Sequence, residues 1–139
     1  MIQITKTSKS EIGIFGKKEW PKANIEHYGK EVDYKETEFI YKATNKGEIV
    51  GIITGKHEAG IVYINNIIVA CDKRGQGIGG RLMKKAEDFG KKFKAHKMHL
   101  VTGKGWEAEK FYEALGFKQI CLLPNHHFHK DFVLFEKFI

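Results

Sequence analysis

The chain is short of several things, and each shortage removes a class of protein. It has two cysteines, Cys71 and Cys121. They are too few and too separated for a disulfide framework or a zinc site, so a reducing cytoplasm is the expected setting. Arginine occurs only as Arg74 and Arg81. The net charge of +7 therefore comes from lysines, spread from Lys6 to Lys137 with acids between them. Specific nucleic-acid readers lean on arginine, so this pattern reads as a solubilising surface, with no nucleic-acid partner. No run of about 18 apolar residues occurs, so no membrane span and no membrane partner is expected. The first six residues, Met1-Ile2-Gln3-Ile4-Thr5-Lys6, lack the apolar core of a secretory signal. GK[ST] is missing too, which excludes a nucleoside-triphosphate P-loop. With 139 residues, 42% of them hydrophobic, a single domain over 1–139 with a genuine core is expected.

What the chain does have is glycine in one dense cluster. Ile61-Val62-Tyr63-Ile64 and Ile67-Ile68-Val69 form a β-branched stretch that reads as a buried strand. The basic turn Lys73-Arg74-Gly75-Gln76-Gly77-Ile78-Gly79-Gly80 follows. Then Ile78, Leu82, Ala86, Phe89 and Phe93 recur at helical spacing. Glycines there remove the Cβ atoms that would keep a ligand off the backbone. A helix opening at that point offers unpaired N–H groups and a positive dipole end, so the turn suits phosphate. Gly75-Gln76-Gly77-Ile78-Gly79-Gly80 satisfies the dinucleotide GxGxxG pattern literally. That reading expects an acid at the end of the next strand, where the chain has Gly103-Lys104 instead.

In chain order, Ile2-Gln3-Ile4-Thr5 reads as a short first strand. Residues 9–30 read as irregular with short helices, because Gly13, Gly16, Pro21 and Gly29 interrupt them. Trp20, His27 and Tyr28 lie in this segment. Residues 31–38 carry four acids against one base, which suits a solvated face or a site for a cationic amine. Strands at 39–44 and 48–54, a turn at 45–47 and a break at 55–60 make an antiparallel meander leading into the central strand. The glycine turn and its helix then cross to a parallel strand at 98–102. A helix from Gly105 places Ala108, Phe111, Tyr112 and Leu115 on one face and stops at Gly116. A strand at 119–123, a loop with His126, His127 and His129, and a last strand close the chain. The histidines lack a further ligand at metal spacing, so no metal is expected.

Arg74-x-x-Gly77-x-Gly79 fits the Q/R-x-x-G-x-G/A signature. About 30 residues on, Ala108-x-x-Phe111-Tyr112 with Gly116-Phe117 is close to A-x-x-F-Y-x-x-x-G-F. With both motifs in order, the chain resembles the GNAT superfamily of acetyl-CoA-dependent N-acetyltransferases. The resemblance covers 61–117 and implies an α/β (α+β) fold. Its mixed sheet would have about six to seven strands, an antiparallel meander followed by a parallel β-α-β crossover, and helices on both faces. It implies transfer of acetyl from acetyl-CoA to a primary amine, in a small molecule or peptide, by direct attack in a ternary complex. The amides of Gln76, Gly77, Ile78, Gly79 and Gly80, with Arg74 and Gly75, would hold the pyrophosphate. The edge at Ile67, Ile68 and Val69 would pair with the pantetheine amides, and an N–H near Val69 would face the oxyanion. Tyr112 would be the general acid, and Trp20, His27 and Tyr28 would be walls of the acceptor pocket, the alternative for Trp20 and Tyr28 being to cover the core.

The chain departs from the family at two positions. A glutamate common on the central strand is replaced by Asn65-Asn66, and an asparagine three residues before the helix alanine is Gly105. The base is therefore unassigned. Weakly basic acceptors, or water relays through His27, His57, Glu58 or the Asn65-Asn66 pair, would answer the lack. The missing glutamate also keeps open a non-catalytic acyl-CoA-binding module of the same fold. The apolar last strand, if it lies at a sheet edge, offers a route to a homodimer.

Overall fold

A computed structural model describes residues 1–139. The chain divides into two compact units, Met1–Tyr34 and Lys35–Ile139. No helix is long and apolar enough to cross a membrane.

In the first unit residues 2–5 form no strand, and residues 9–30 are not broken into short helices. One helix, α1 (Lys9–Tyr28), runs through Gly13, Gly16 and Pro21. Its ends explain this. The Ser8 hydroxyl accepts from the Glu11 amide, and Gly29, at φ 71°, closes the other end with its N–H on the Ile25 carbonyl at 2.8 Å. Capping at both termini offsets the roughly 1 kcal/mol that each interior glycine costs. Trp20 lies along its own helix over Gly16 and is 67% exposed, so it covers no core. The Tyr28 and Tyr34 hydroxyls hydrogen-bond to each other.

The second unit is a six-stranded mixed sheet with two helices. Its elements are β1 (Thr37–Asn45), β2 (Glu48–Glu58), β3 (Ile61–Val69), α2 (Ile78–Lys92), β4 (Lys97–Gly103), α3 (Ala108–Ala114), β5 (Lys118–Leu123) and β6 (Phe132–Phe138). The spatial order is β1-β2-β3-β4-β6-β5. Lys46 and Gly47, both at positive φ, make the tight β1–β2 turn, and Ala59 and Gly60 repeat it between β2 and β3. The break expected over 55–60 is thus only Ala59-Gly60. Gly55 stays inside β2 at a bulge, where a Cβ would meet the Tyr63 carbonyl oxygen at 2.1 Å.

The last strand does not sit at an edge. β6 pairs with β4 on one side and β5 on the other, so edge pairing of Phe132–Phe138 with a second subunit is closed. The outer strands are β1 and β5.

Alternation assigns the faces. Val62, Met98, Leu100, Val133 and Phe135 point to one side, where Leu82, Met83 and Ala86 of α2 and Tyr112 of α3 complete the core. α2 and α3 therefore share that face. Tyr63, His99, Phe132 and Glu136 point to the opposite one. Phe93, the last residue of the apolar stripe, stacks on His57 at 5.2 Å instead of entering the core.

Candidate active site

The site begins where two parallel strands part. β3 and β4 pair only over Ile61↔Lys97, Val62↔Met98 and Tyr63↔His99. Beyond Tyr63 the β4-facing edge of β3 has no strand beside it, and residues 67–69 lie on that stretch.

After β3 the chain makes one turn of 3-10 helix at Cys71–Lys73. Arg74 folds back, its Nε–H donating to the Val69 carbonyl at 3.3 Å, which fixes the turn against the strand end. Gly75 and Gly77 take φ of 77° and 79°, and a Cβ on either would meet nothing within 4 Å. The requirement for glycine there is conformational. Gly77 is the N-cap of α2, and Arg81 N–H to Gly77 carbonyl, at 3.1 Å, is the first helical bond. The amides of Ile78, Gly79 and Gly80 are left without helical acceptors at the positive end of a 15-residue helix with no acid in its first turn. The other two glycines serve packing. A Cβ on Gly79 would touch Phe111 Cζ at 3.0 Å, and one on Gly80 would lie 3.8 Å from Leu115. They let α3 close on the start of α2.

A cavity of about 800 Å³ extends from this turn. It is lined by Ile67, Ile68, Val69, Arg74, Gly75, Gly77, Ile78, Gly79, Gly80 and Tyr112, together with Trp106 and Lys110. Gln76 is the one expected site residue that does not line this cavity; it lines a different recess. Tyr112 is buried, its ring packed against Phe111, Phe117 and Phe135 at centroid distances of 5.2, 6.0 and 6.0 Å. Burial pushes its phenol above the ordinary tyrosine value, so it is a proton donor at neutral pH.

Trp106 is one of the lining residues that the motifs do not indicate. Its indole lies over Gly103 and meets Phe132 edge-on at 5.4 Å, on the sheet face opposite α2 and α3. His126 and His127 pack around the same Phe132, and His129 bonds Asn125 at 2.9 Å. The histidine loop is thus an aromatic rim. A sequence signal existed, since Trp106 stands just before the motif helix, but nothing showed that its ring would cross the sheet. In the first turn of α3 the Glu109 carboxylate accepts the Gly105 N–H at 2.6 Å, while Gly105 sits at φ 80°.

Of the residues considered for a proton relay, those in the second unit do not line the cavity. His57 is turned toward α2, where its Nε2 accepts the Gly60 N–H, and His27 belongs to α1 in the first unit. Glu58 pairs with Lys56, and Asn66 donates to Thr54 Oγ1 at 3.3 Å. The acidic stretch contributes Glu36, which also pairs with Lys56. A second polar group, unforeseen, lies on the far face: Glu136 holds Lys97 at 2.8 Å and His99 at 3.4 Å. Lys97 first, then His99, keep the Glu136 carboxyl below the usual range against the effect of burial.

A parallel strand pair thus parts beside a glycine-capped helix, with a buried tyrosine across the gap. The family described as Acetyltransferase (GNAT) domain matches residues 5–135, and the chain belongs to that family. Solved structures agree on the fold. An acetyltransferase from Bacillus cereus ATCC 14579 is 22% identical over 99% of this chain and 98% of its own, with a TM-score of 0.75. The ribosomal-protein-S18-alanine N-acetyltransferase of Escherichia coli is 17% identical over 99% and 93%, at 0.67. A GNAT family acetyltransferase from Elizabethkingia anophelis with acetyl-CoA bound is 23% identical over 72% and 75%, at 0.66.

Proposed function

We propose that this acetyltransferase moves the acetyl group of acetyl-CoA to a primary amine by direct attack within a ternary complex. The single observation that carries the reading is the cavity that joins the bare amides of α2 to the Tyr112 ring along the unpaired edge of β3. Its volume, about 800 Å³, is in the range of cofactor clefts. The orphan amides of residues 78–80 and the positive-φ cradle at Gly75 and Gly77 fit a pyrophosphate, and they need no side chain to do so. When bound, acetyl-CoA supplies the activated thioester carbon.

The chain's own residues then have three tasks. The β3 edge at 67–69 takes an extended amide chain as an added strand and fixes its depth. A free amide near Val69 faces the carbonyl oxygen, while Arg74 occupies the Val69 carbonyl and holds the turn. Tyr112 protonates the departing thiolate, which suits a phenol kept neutral by burial. The amine approaches over Trp106 and Phe132, on the face that α2 and α3 leave free. Most of the rate comes from holding both reactants in line. Because the family model spans 5–135, both units are read as parts of one catalytic domain. Two exposed free thiols, Cys71 and Cys121, suit a cytoplasmic setting.

The test is acetyl-CoA with a panel of α-amines, polyamines, aminoglycosides and lysine peptides, followed by free-thiol release. Release that depends on one amine class and falls in Tyr112→Phe supports the reading. Tight acetyl-CoA binding with no release from any amine overturns it.

A further inference from the structure

On the other side of the glycine turn lies a second recess, of about 570 Å³. We propose that it binds a nucleotide-like ligand, a small molecule with a flat body and two or more negative charges, at the same time as the first cavity holds acetyl-CoA.

The lining supports this class. Its floor is apolar, made by Val50, Ile78 and Leu82. Above it stand Lys73 from the turn and Arg81 and Lys85 from α2, with no carboxylate among the lining residues. Elsewhere in the chain Lys22, Lys56, Lys84, Lys91, Lys97 and Lys137 form ion pairs with acids. Lys73, Arg81 and Lys85 form none. Arg81 is also the only arginine besides Arg74, whose guanidinium is engaged with Val69. Lys42 lines the recess too, and four cations around one concavity repel one another, a repulsion that an anion relieves. One wall is the Tyr41 ring, with Lys85 Nζ 5.6 Å from its centroid, a surface on which a planar base can stack. The volume falls within the range of small-molecule sites.

The two cavities share Lys73 and Ile78, and the turn between them separates them. Gln76, which does not line the acetyl-CoA cavity, lines this one. That placement gives a use to the one expected phosphate-turn residue that the first cavity leaves out.

The experiment is calorimetric titration of ADP into protein saturated with coenzyme A, for the native chain and for Arg81→Gln/Lys85→Gln. Neither substituted residue lines the first cavity. The expected result is one ADP per chain, weakening with added salt, and a loss of at least tenfold in the double variant. Coenzyme A affinity and thermal midpoint should stay within error. Three results overturn the proposal. ADP that binds only by displacing coenzyme A shows a single site at the turn. A double variant that weakens coenzyme A itself shows that the recess holds the cofactor's own nucleotide end. ADP affinity unchanged in the double variant shows attraction to net charge alone. The measurement requires coenzyme A binding but no turnover, so an amine screen that fails leaves it intact.

Discussion

Gly103 and Trp106 occupy space that only their combination allows: a Cβ on Gly103 would lie 2.1 Å from Trp106 Cε2. The last residue of β4 is thus bare so that the indole can cross the sheet and rest on Phe132. Gly103→Ala should expel the ring. We expect a red-shifted tryptophan emission and an acceptor KM raised severalfold, with the KM for acetyl-CoA little changed. Trp20 is exposed and far along its own helix in sequence, so a Trp20→Phe background isolates the signal. Unchanged emission and unchanged acceptor KM would show that the indole has no part in acceptor binding.

Tyr112→Phe removes one hydroxyl and keeps the ring among Phe111, Phe117 and Phe135. General-acid help is worth about 10²–10⁴-fold, so kcat should fall by that order with acetyl-CoA binding preserved. Because burial raises the phenol's pKa, the native enzyme should keep its donor to beyond pH 10, and the variant should lack the corresponding alkaline limb. Steady-state kinetics across pH reads both, and a variant with native kcat would leave Tyr112 a packing residue only.

Gly77→Ala places a side chain at φ 79°. No neighbour lies within 4 Å of the new carbon, so the penalty is purely conformational, about 1–2 kcal/mol. The turn should relax by rotating its amides, and acetyl-CoA affinity should fall about tenfold or more. Gly80→Ala, whose Cβ would make ordinary contact with Leu115 at 3.8 Å, should be far milder. Equal losses in the two variants would argue against a pyrophosphate cradle at Gly77.

Glu87 is buried on α2 and receives Lys137 at 3.1 Å, Lys91 at 3.4 Å and Lys84 at 3.5 Å. Burial alone would raise its carboxyl. Hydrogen bonds from Lys137 and Lys91 outweigh that and hold it below the ordinary value. A depressed folded value contributes stability that is present above the unfolded pKa, about 4.3, and is lost as pH falls through the folded one. Glu87→Gln should therefore lose about 1–2 kcal/mol at pH 7 in urea unfolding. The gap to the native chain should close below about pH 4.

Gly90 faces Val62, whose Cγ2 would be 2.3 Å from an added Cβ. Gly90→Ala should thus destabilise by about 1–3 kcal/mol through overpacking, although alanine is the better helix former. A thermal midpoint above the native one would show that α2 can lift from the sheet without loss.

By itself the sequence determined the central unit, because its signals are local. β-branched runs, the glycine cluster, a 3.6-residue stripe and the A-x-x-F-Y helix each act through backbone conformation or one element's face, and α2 and α3 form where these signals lie. Capping is local too: Ser8 and Gly29 close one continuous α1 across Gly13, Gly16 and Pro21, where glycine and proline alone suggest breaks. Tertiary structure decided what depends on which surfaces meet. It inserted β6 between β4 and β5, gave Gly79 to Phe111 and Gly80 to Leu115, and turned Gln76 toward a second recess. It also carried Trp106 across the sheet. Each of these is a contact between segments distant along the chain or across a strand, and side-chain periodicity within one element holds no record of such a partner.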